Sequence, residues 1–202
     1  ALYLYHGDNH GSVRCCLSLD GGTLMKRIKQ TGLDQVGGKA YHLLKMQAAG
    51  LPVPDFAVFA FDFFQESASS ADLEQMEVAY RSGELELSQL SQQFQDWAKE
   101  QFAQEDLTAA ENWIHQEFSQ TDCRFAVRSS ATIEDGKASS FAGQFESQLN
   151  VKPEGLKEAV QATLLSLYQE SALSYLFEQG LSLKQAQMIC LVQVMQEGEL
   201  SG

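Results

Sequence analysis

The sequence lacks any apolar run of the roughly 20 residues that a membrane-spanning helix needs. Its first residues, ALYLYHGDNHGS, have neither the basic start nor the apolar stretch of a secretory signal. The four cysteines form no C-x-x-C pair and have no histidine at metal-ligand spacing, and Cys15 and Cys16 are adjacent, which rarely permits a bridge. We therefore expect no membrane association, no metal site at the cysteines and free thiols in a reducing cytoplasm.

Basic residues are also scarce, since 14 Lys and Arg stand against 27 Asp and Glu, a formal net charge of −13. Fourteen of the acidic residues lie between Asp62 and Asp122, where the only basic residues are Arg81 and Lys99. Nucleic-acid-binding proteins usually present a basic face, so we expect no nucleic-acid partner. The rest of the chain is nearly neutral and can still bind a small anionic ligand.

Hydrophobic residues make up 44% of the 202 residues, and 12 of them are Phe, which is typical of a globular protein with a substantial core. The first zone, up to about residue 60, contains KAYHLLKMQAAG, which has the apolar spacing of a helix with Gly50 as its C-cap. LPVPDFAVFA follows and predicts an extended segment that enters a strand, because each proline disfavours helix at the residue before it.

The second zone, about 61–120, is helical by its apolar spacing and carries most of the acidic residues. Its clearest stripe is Leu87, Leu90, Phe94, Trp97, Ala98 and Phe102. Such a stripe can line a ligand groove, but it more often packs in a core, and we interpret it as core. We expect His115 in the same zone to be a surface or packing residue.

The third zone alternates between strands and helix. RFAVRSS, QFESQLNV and MICLVQVM predict strands, and KPEGLKEAVQATLLSLYQESALSYLFEQG predicts one long helix with Pro153 in its first turn. The order of these elements predicts an α+β domain. The chain stops at Gly202 without a terminating element, which leads us to expect a larger protein.

The segment GGKA, from Gly37 to Ala40, directly precedes the first predicted helix. Exposed N–H groups at a helix start attract anions, two glycines allow close backbone approach, and Lys39 adds a positive charge. A Walker A loop would need Gly in place of Leu33 and Ser or Thr in place of Ala40, so this is not a P-loop. A turn with a solvated lysine remains the simpler alternative.

The segment FAVRSSATIEDGKASSFAGQ, residues 125–144, begins as a strand and continues in small residues. Arg128 at the end of the strand can bind phosphate oxygens through its planar guanidinium, and the small residues beyond it let a loop lie close to a ligand. No G-x-S-x-G pattern surrounds Ser129 or Ser130, so a catalytic serine is not expected. The other charged candidates stay open: Glu134 and Asp135 are metal ligands or solvated charges, and His6 and His10 are expected in a mobile tail.

Three segments in order resemble the N-terminal nucleotide-binding domain of the phosphoenolpyruvate synthase and pyruvate phosphate dikinase family. They are VGGKAYHLLKMQAAGLPVPDFAVFA, FAVRSSATIEDGKASSFAGQFESQLNV and LVQVMQEGELSG. Ala40 departs from the Gly or Asn common in that family, and Phe56 follows Asp55 where Gly-Phe is usual. The resemblance implies an ATP-grasp-like first lobe over residues 36–202, with a mixed or antiparallel sheet and the acidic helical block of about 61–120 as a subdomain. Residues 1–35 form a segment of unclear role.

The resemblance also implies roles for individual residues. Lys39 and Arg128 would bind the ATP phosphates as the catalytic pair, and the segment from Ser130 to Gly143 would be a lid over them. The residues that would contribute to nucleotide binding are Gly37, Gly38, Lys39, Arg128, Ser129, Ser130, Thr132 and Gly143. Gln193, Val194 and Met195 would line the adenine pocket, with backbone groups making the polar contacts. The ligands of Mg²⁺ are expected beyond this chain.

Family enzymes use ATP to phosphorylate a histidine on a separate domain, from which the phosphoryl group passes to pyruvate or another acceptor. None of His6, His10, His42 and His115 matches that carrier motif, so we expect the isolated chain to be inactive. The alternatives are a phosphotransferase of the same superfamily with another acceptor, such as an antibiotic or a glucan, and a module that binds a nucleotide or a partner without catalysis. An acidic domain whose helices mediate protein contacts ranks last.

Overall fold

The computed structural model describes residues 2–7, 13–16, 26–27, 33–61, 70–104, 123–131, 147–183 and 188–196. Seven strands lie in one sheet: β1 Leu2–Gly7, β2 Val13–Cys16, β3 Lys26–Arg27, β4 Phe56–Phe61, β5 Phe125–Ala131, β6 Ser147–Val151 and β7 Met188–Val194. Their spatial order is β3-β2-β1-β4-β7-β5-β6, and every recorded pairing is antiparallel. The expected α+β class is confirmed, and the sheet is antiparallel rather than mixed.

The helices are α1 Leu33–Ala48, α2 Ser70–Arg81, α3 Leu87–Gln104, α4 Leu156–Leu165 and α5 Glu170–Glu178. Helix α1 contacts one face of the sheet, while α4 contacts β5 and β7 from the other face, and α3 packs on α4 and α5. Among the described residues, no helix is long and apolar enough to cross a membrane.

The main core lies between the sheet and the layer of α3, α4 and α5. Phe125, Val127 and Val192 contribute from the strands, and Leu173 and Leu176 contribute from α5. The predicted stripe of α3 is confirmed as core: Leu90, Phe94, Trp97, Ala98 and Phe102 are buried in this same cluster, and Leu87 packs at its edge. The helices from the acidic zone therefore share one core with the sheet, while His115 lies outside the described residues.

A smaller core lies under α1. Ala40 of the helix packs with Phe56, Val58, Ile189 and Leu191 from β4 and β7. The predicted C-cap is confirmed, because Gly50 has φ +75° and the Leu51 N–H donates to the Met46 carbonyl at 3.0 Å. The Gly50 N–H also donates to the Gln47 carbonyl at 3.0 Å, which completes a Schellman motif.

The expectation of a mobile N-terminal tail around His6 is wrong. His6 lies in β1, which pairs with β2 on one side and with β4 on the other, so that His6 is opposite Ala57. The sheet thus continues across the expected boundary at residues 35 and 36. The sequence GDNHGS correctly indicated that this segment is not helical, but it contains no information about strand pairing with residues some 50 positions away. His10 lies outside the described residues.

The prediction of a single long helix after Pro153 is also wrong, because the helix is broken near its middle. Pro153 does begin a first turn, over Pro153–Gly155, but α4 ends at Leu165 and a 3₁₀ turn at Ser166–Tyr168 separates it from α5. The Ser166 hydroxyl donates to the Thr163 carbonyl at 2.6 Å, and Gln169 is extended at ψ 150°. The Ser91 hydroxyl donates to the Tyr168 carbonyl at 2.7 Å, so a contact from α3 fixes the break.

Candidate nucleotide-binding site

Strand β5 presents different side chains to the two faces of the sheet. Val127 belongs to the main core, and because side chains alternate along a strand, Arg128 and Ser130 lie on the opposite face, which α1 contacts. Arg128 is opposite Leu191 of β7 and Ser147 of β6. Its side chain is exposed, whereas Ser130 is fully buried. Arg128 is therefore exposed on the sheet face that α1 contacts, two residues before Ser130 in the strand.

The glycine turn before Lys39 fits against β5 so closely that a side chain cannot be added. Gly37 interrupts α1 with φ 69° and ψ 163°, a conformation that L side chains rarely adopt. The segment GGKA therefore lies within α1 and not, as was predicted, before it, and the start of the helical segment after this break, residues 38–48, is the helix start referred to below. A Cβ on Gly37 would lie 2.8 Å from the carbonyl oxygen of Ser130, closer than nonbonded atoms approach. Gly38 is buried as well. Gly37 is thus explained by close backbone approach, but the partner is the protein's own strand.

Lys39 is bound to β5 through two hydrogen bonds. Its backbone N–H donates to the Ser130 hydroxyl at 3.3 Å, and its Nζ donates to the Ser129 carbonyl at 2.7 Å. The residue is otherwise exposed. The ammonium group therefore lies next to the backbone of β5. Two residues that are 90 positions apart in the chain, Lys39 and Ser129, are thereby brought into contact.

The charges at this end of α1 are positive. Lys39 contacts the residue that follows Arg128, and within the described part of the chain no carboxylate pairs with the Arg128 guanidinium. Two cations on one face, next to the N–H groups of a helix start, form a suitable environment for phosphate oxygens. The arrangement is suited to binding a polyphosphate, because β5 sets the backbone position of Arg128 and two hydrogen bonds join Lys39 to the same strand.

Ser129 and Ser130 were expected to contribute to nucleotide binding, but in the structure both contact the Gly37–Lys39 turn. Ser129 is buried and offers Lys39 its backbone carbonyl, while its side chain lies on the opposite face of the strand. Ser130 is a strand residue with a buried side chain, so the expectation that it begins the lid is a wrong boundary. The other expected lid and loop residues, Thr132, Glu134, Asp135 and Gly143, lie outside the described residues.

The end of β7 lies on the same sheet, toward the other end of α1. Gln193 is opposite Ala126 of β5 and Phe56 of β4, and it shares a face with Leu191 and therefore with Arg128. The expected strand MICLVQVM is confirmed as central, since β7 lies between β4 and β5. Diagonal neighbours on one face of a sheet are about 7 Å apart, which places Gln193 near Arg128.

The two residues after Gln193 use their N–H groups within the protein. The Val194 N–H donates to the Asp55 carbonyl at 2.8 Å, and the Met195 N–H donates to the Arg124 carbonyl at 2.8 Å. The Val194 side chain packs against the main core, and the Met195 sulfur accepts the Asn150 N–H at 3.2 Å. Backbone contacts to a base from these two residues would therefore have to use carbonyl oxygens. Sequence patterns gave no sign of Asp55 or Arg124 here, because both act through the backbone.

An open groove of about 600 Å³ lies beyond this end of β7. It is formed by the C-terminal end of α1, the proline-containing segment before β4 and the residue after Met195: Gln47, Gly50, Leu51, Pro52, Val53, Pro54 and Gln196. From the 1.5 Å rise per helical residue, Lys39 and Gly50 are about 16 Å apart. The cationic end and the groove thus lie at opposite ends of one helix.

No group of three His, Cys, Asp or Glu side chains converges among the described residues. Cys123 and Cys190, the cysteines whose side chains are described, form no disulfide. Burial raises the pKa of the Cys190 thiol to about 12, an effect that a hydrogen bond with the Thr163 side chain partly offsets. This cysteine therefore stays a neutral, unreactive core residue rather than a nucleophile.

Comparison with known proteins agrees with this geometry. Residues 33–202 match the family described as the pyruvate phosphate dikinase AMP/ATP-binding domain. The chain is 31% identical over 88% of its length to phosphoenolpyruvate synthase of Aeropyrum pernix and 30% identical over 84% to that of Escherichia coli. It is also 28% identical over 88% of its length to rifampicin phosphotransferase of Streptomyces sviceus.

The chain spans 23%, 23% and 21% of these three relatives, so it corresponds to a minor part of each. The family match covers α1, the strands β4 to β7 and the residues that bring Lys39 to Arg128. It is the description of this matched domain, AMP/ATP-binding, that agrees with a cationic site at the start of a helix. The chain belongs to the pyruvate phosphate dikinase AMP/ATP-binding domain family.

Proposed function

We propose that this chain is the first, ATP-grasp-like lobe of the nucleotide-binding unit of a phosphoenolpyruvate-synthase-like phosphotransferase of the cytoplasm. The observation that carries the proposal is the hydrogen bond from the Lys39 ammonium to the carbonyl of Ser129, the residue next to Arg128 in the chain. Free thiols at Cys123 and Cys190 are compatible with a reducing compartment.

In this proposal, Lys39 and Arg128 bind the triphosphate of ATP and stabilise its negative charge as a phosphoryl group leaves. Phosphoryl transfer depends on positioning and electrostatic stabilisation more than on covalent chemistry by the protein, so two fixed cations are suited to the task. Thr132 and Gly143 would belong to the segment that covers the phosphates. The base would lie toward Gln193, Val194 and Met195, where Gln193 and carbonyl oxygens supply the polar contacts.

Mg²⁺ would accompany ATP, and its charge would neutralise the phosphates. The described residues offer no converging set of acidic ligands, and we assign no step of the reaction to the metal. The phosphoryl group would pass through a histidine on a separate domain to pyruvate, and the chain alone would not turn over.

A second candidate differs only in the acceptor. The similarity to rifampicin phosphotransferase of Streptomyces sviceus, 28% identical, is close to the similarity to the phosphoenolpyruvate synthases. An ATP lobe does not contact the acceptor, so its sequence favours neither. A binding module without catalysis is disfavoured because Lys39 and Arg128 are both present and lie on one face.

The test is calorimetric titration of ATP with Mg²⁺ into the intact protein and its Arg128→Ala and Lys39→Ala variants. Lys157→Ala is the matched control, because it removes an exposed lysine from α4 on the opposite face of the sheet. Loss of affinity in both site variants and not in the control supports the nucleotide site. Equal affinity in all four proteins would refute it.

Acid-labile phosphate on histidine, assayed with ATP and then with pyruvate or rifampicin as acceptor, separates the two candidate functions. We expect the label in the intact protein, discharged by one acceptor. The isolated 202-residue chain should remain unlabelled, and a phosphorylated histidine within it would show that the carrier is not on a separate domain.

A further inference from the structure

Ser130 stands out among the residues around Lys39 because it is a polar side chain with no exposed surface. Its hydroxyl oxygen accepts the backbone N–H of Lys39 at 3.3 Å. A Cβ added to Gly37 would lie only 2.8 Å from the carbonyl oxygen of Ser130. Ser130 therefore contacts both the first and the last residue of the Gly37–Lys39 turn.

We infer that Ser130 is a positioning residue that docks the Gly37–Lys39 turn onto β5, and that it does not bind phosphate itself. The inference rests on the proposed function, in which Lys39 binds the phosphates of ATP. A buried hydroxyl that already accepts an N–H cannot approach a ligand above the turn without leaving its place. Ser130 acts on the nucleotide through Lys39.

The geometric effect of this docking is to fix two cations relative to each other. Arg128 lies on the same strand and the same face as Ser130, two residues earlier, so its position is set by the sheet. Lys39 lies on a helix, and its position relative to the sheet is set where its N–H meets Ser130. A fixed spacing of donors lowers the entropy lost when a polyphosphate binds.

The bond from Lys39 Nζ to the Ser129 carbonyl fits the same role. Without it, a long lysine side chain would sample many rotamers and lose them on binding. With the helix start docked on Ser130, the ammonium group reaches Ser129 at 2.7 Å and stays beside Arg128. Removing the Ser130 hydroxyl should loosen the turn and weaken this second bond.

A double-mutant cycle in the intact protein tests the inference. The affinities of ATP and of adenosine, which lacks phosphates, are measured for the wild type, Ser130→Ala, Lys39→Ala and the double variant. Ser166→Ala is the matched control, because Ser166 is also a fully buried, hydrogen-bonded serine, although its hydroxyl donates to the Thr163 carbonyl and it lies in the helical layer on the opposite face.

We expect Ser130→Ala to weaken ATP binding by about 3- to 10-fold, the loss of one neutral hydrogen bond, and to leave adenosine binding unchanged. In the Lys39→Ala background, the same change should have no further effect on ATP affinity, because the ammonium group through which Ser130 acts on the nucleotide is gone. Equal losses of ATP affinity in both backgrounds would overturn the inference, as would a parallel loss of adenosine affinity or no loss at all.

Amide hydrogen exchange provides a readout that does not depend on nucleotide binding. The Lys39 N–H should exchange faster in Ser130→Ala than in the wild type and should be unchanged in Ser166→Ala. An unchanged Lys39 amide in Ser130→Ala would overturn the docking role even if ATP binding fell. If Lys39→Ala bound ATP like the wild type, the proposed function would fail, and the exchange experiment would still decide whether Ser130 docks the turn.

Discussion

The ammonium group of Lys39 donates a 2.7 Å hydrogen bond to the carbonyl of Ser129, the residue that follows Arg128. A helix and a strand that are far apart in sequence thus bring Lys39 to the residue next to Arg128 in the chain. Like charges repel, and no carboxylate among the described residues relieves the Arg128 side of the pair. A polyanion would relieve it, and its affinity should decrease as salt screens the interaction.

Replacing Arg128 should weaken ATP binding without altering the fold, because its side chain is exposed. We expect Arg128→Ala to cost about 1.5–3 kcal/mol in ATP affinity, the range for hydrogen bonds to charged groups. Arg128→Lys should recover part of that loss, since it keeps the charge but not the planar pair of donors. Titration calorimetry measures the ATP affinity, and urea unfolding checks that stability is unchanged. An ATP affinity of Arg128→Ala equal to that of the wild type would contradict the assignment.

Replacing Gly37 with alanine should destabilise the protein more than the same change at Gly83. Both glycines have positive φ, +69° and +81°, but a Cβ on Gly83 would meet no atom within 4 Å. Gly83→Ala should therefore cost only the backbone strain, about 1 kcal/mol. Gly37→Ala should cost that amount plus about 1–3 kcal/mol for the clash with Ser130. Urea unfolding of the two variants gives the difference, and equal losses would show that the turn does not contact β5.

Truncating Phe94 should test whether the apolar stripe of α3 is core or a ligand groove. Phe94 is fully buried and its ring stacks on Tyr168 at 5.8 Å between centroids. Phe94→Ala should lower the free energy of unfolding by about 3–5 kcal/mol. Val78→Ala is the control, since Val78 is 64% exposed, and it should change stability by less than about 0.5 kcal/mol. A small effect of Phe94→Ala on stability would contradict the core interpretation.

Stability should fall at alkaline pH through Cys190. Burial raises the pKa of this thiol from 9.0 to about 12, so between those values the unfolded chain releases a proton that the folded chain retains. The contribution of the neutral thiol is therefore complete below pH 9 and is lost as pH rises toward 12, by at most about 1.4 kcal/mol per pH unit. Burial also raises the pKa of Tyr168, which acts in the same direction.

The measurement is urea unfolding at several pH values from 8 to 10.5, under reduction, for the wild type and Cys190→Ala. The variant should lose less stability over this range, and the difference isolates Cys190 because Tyr168 is common to both proteins. Cys123→Ala controls for the loss of a thiol at a less buried position. Identical pH dependence in wild type and Cys190→Ala would show that the thiol is not buried from solvent.

Local patterns predicted most of the regular structure correctly. The apolar spacing of α2 and α3, the C-cap at Gly50 and the strands that contain Arg128 and Leu191 were all readable, because each depends on residues close together in sequence. Short-range periodicity is sufficient for such features.

The errors arose where a distant residue decides the conformation. His6 is in a strand because β4 pairs with it, and the helix breaks after Leu165 because the Ser91 hydroxyl bonds to Tyr168 and Ser166 bonds to Thr163. The boundary at Ser130 was misjudged because its burial depends on Gly37. No local pattern contains these long-range contacts. The positions of Lys39 and Arg128 in the site were predicted from resemblance, and their contact through Ser129 was not.

The place of β7 in the middle of the sheet has a consequence for how the protein is made. Phe56 of β4 pairs with Gln193 of β7, and β7 also bridges to β5, so the sheet cannot be completed until the ribosome has delivered residue 194. At typical rates of synthesis, β4 waits on the order of ten seconds for its partner. During that interval the edges of β4 and β5 that pair with β7 in the finished sheet lack this partner, and unpaired strand edges are the kind of surface through which chains aggregate.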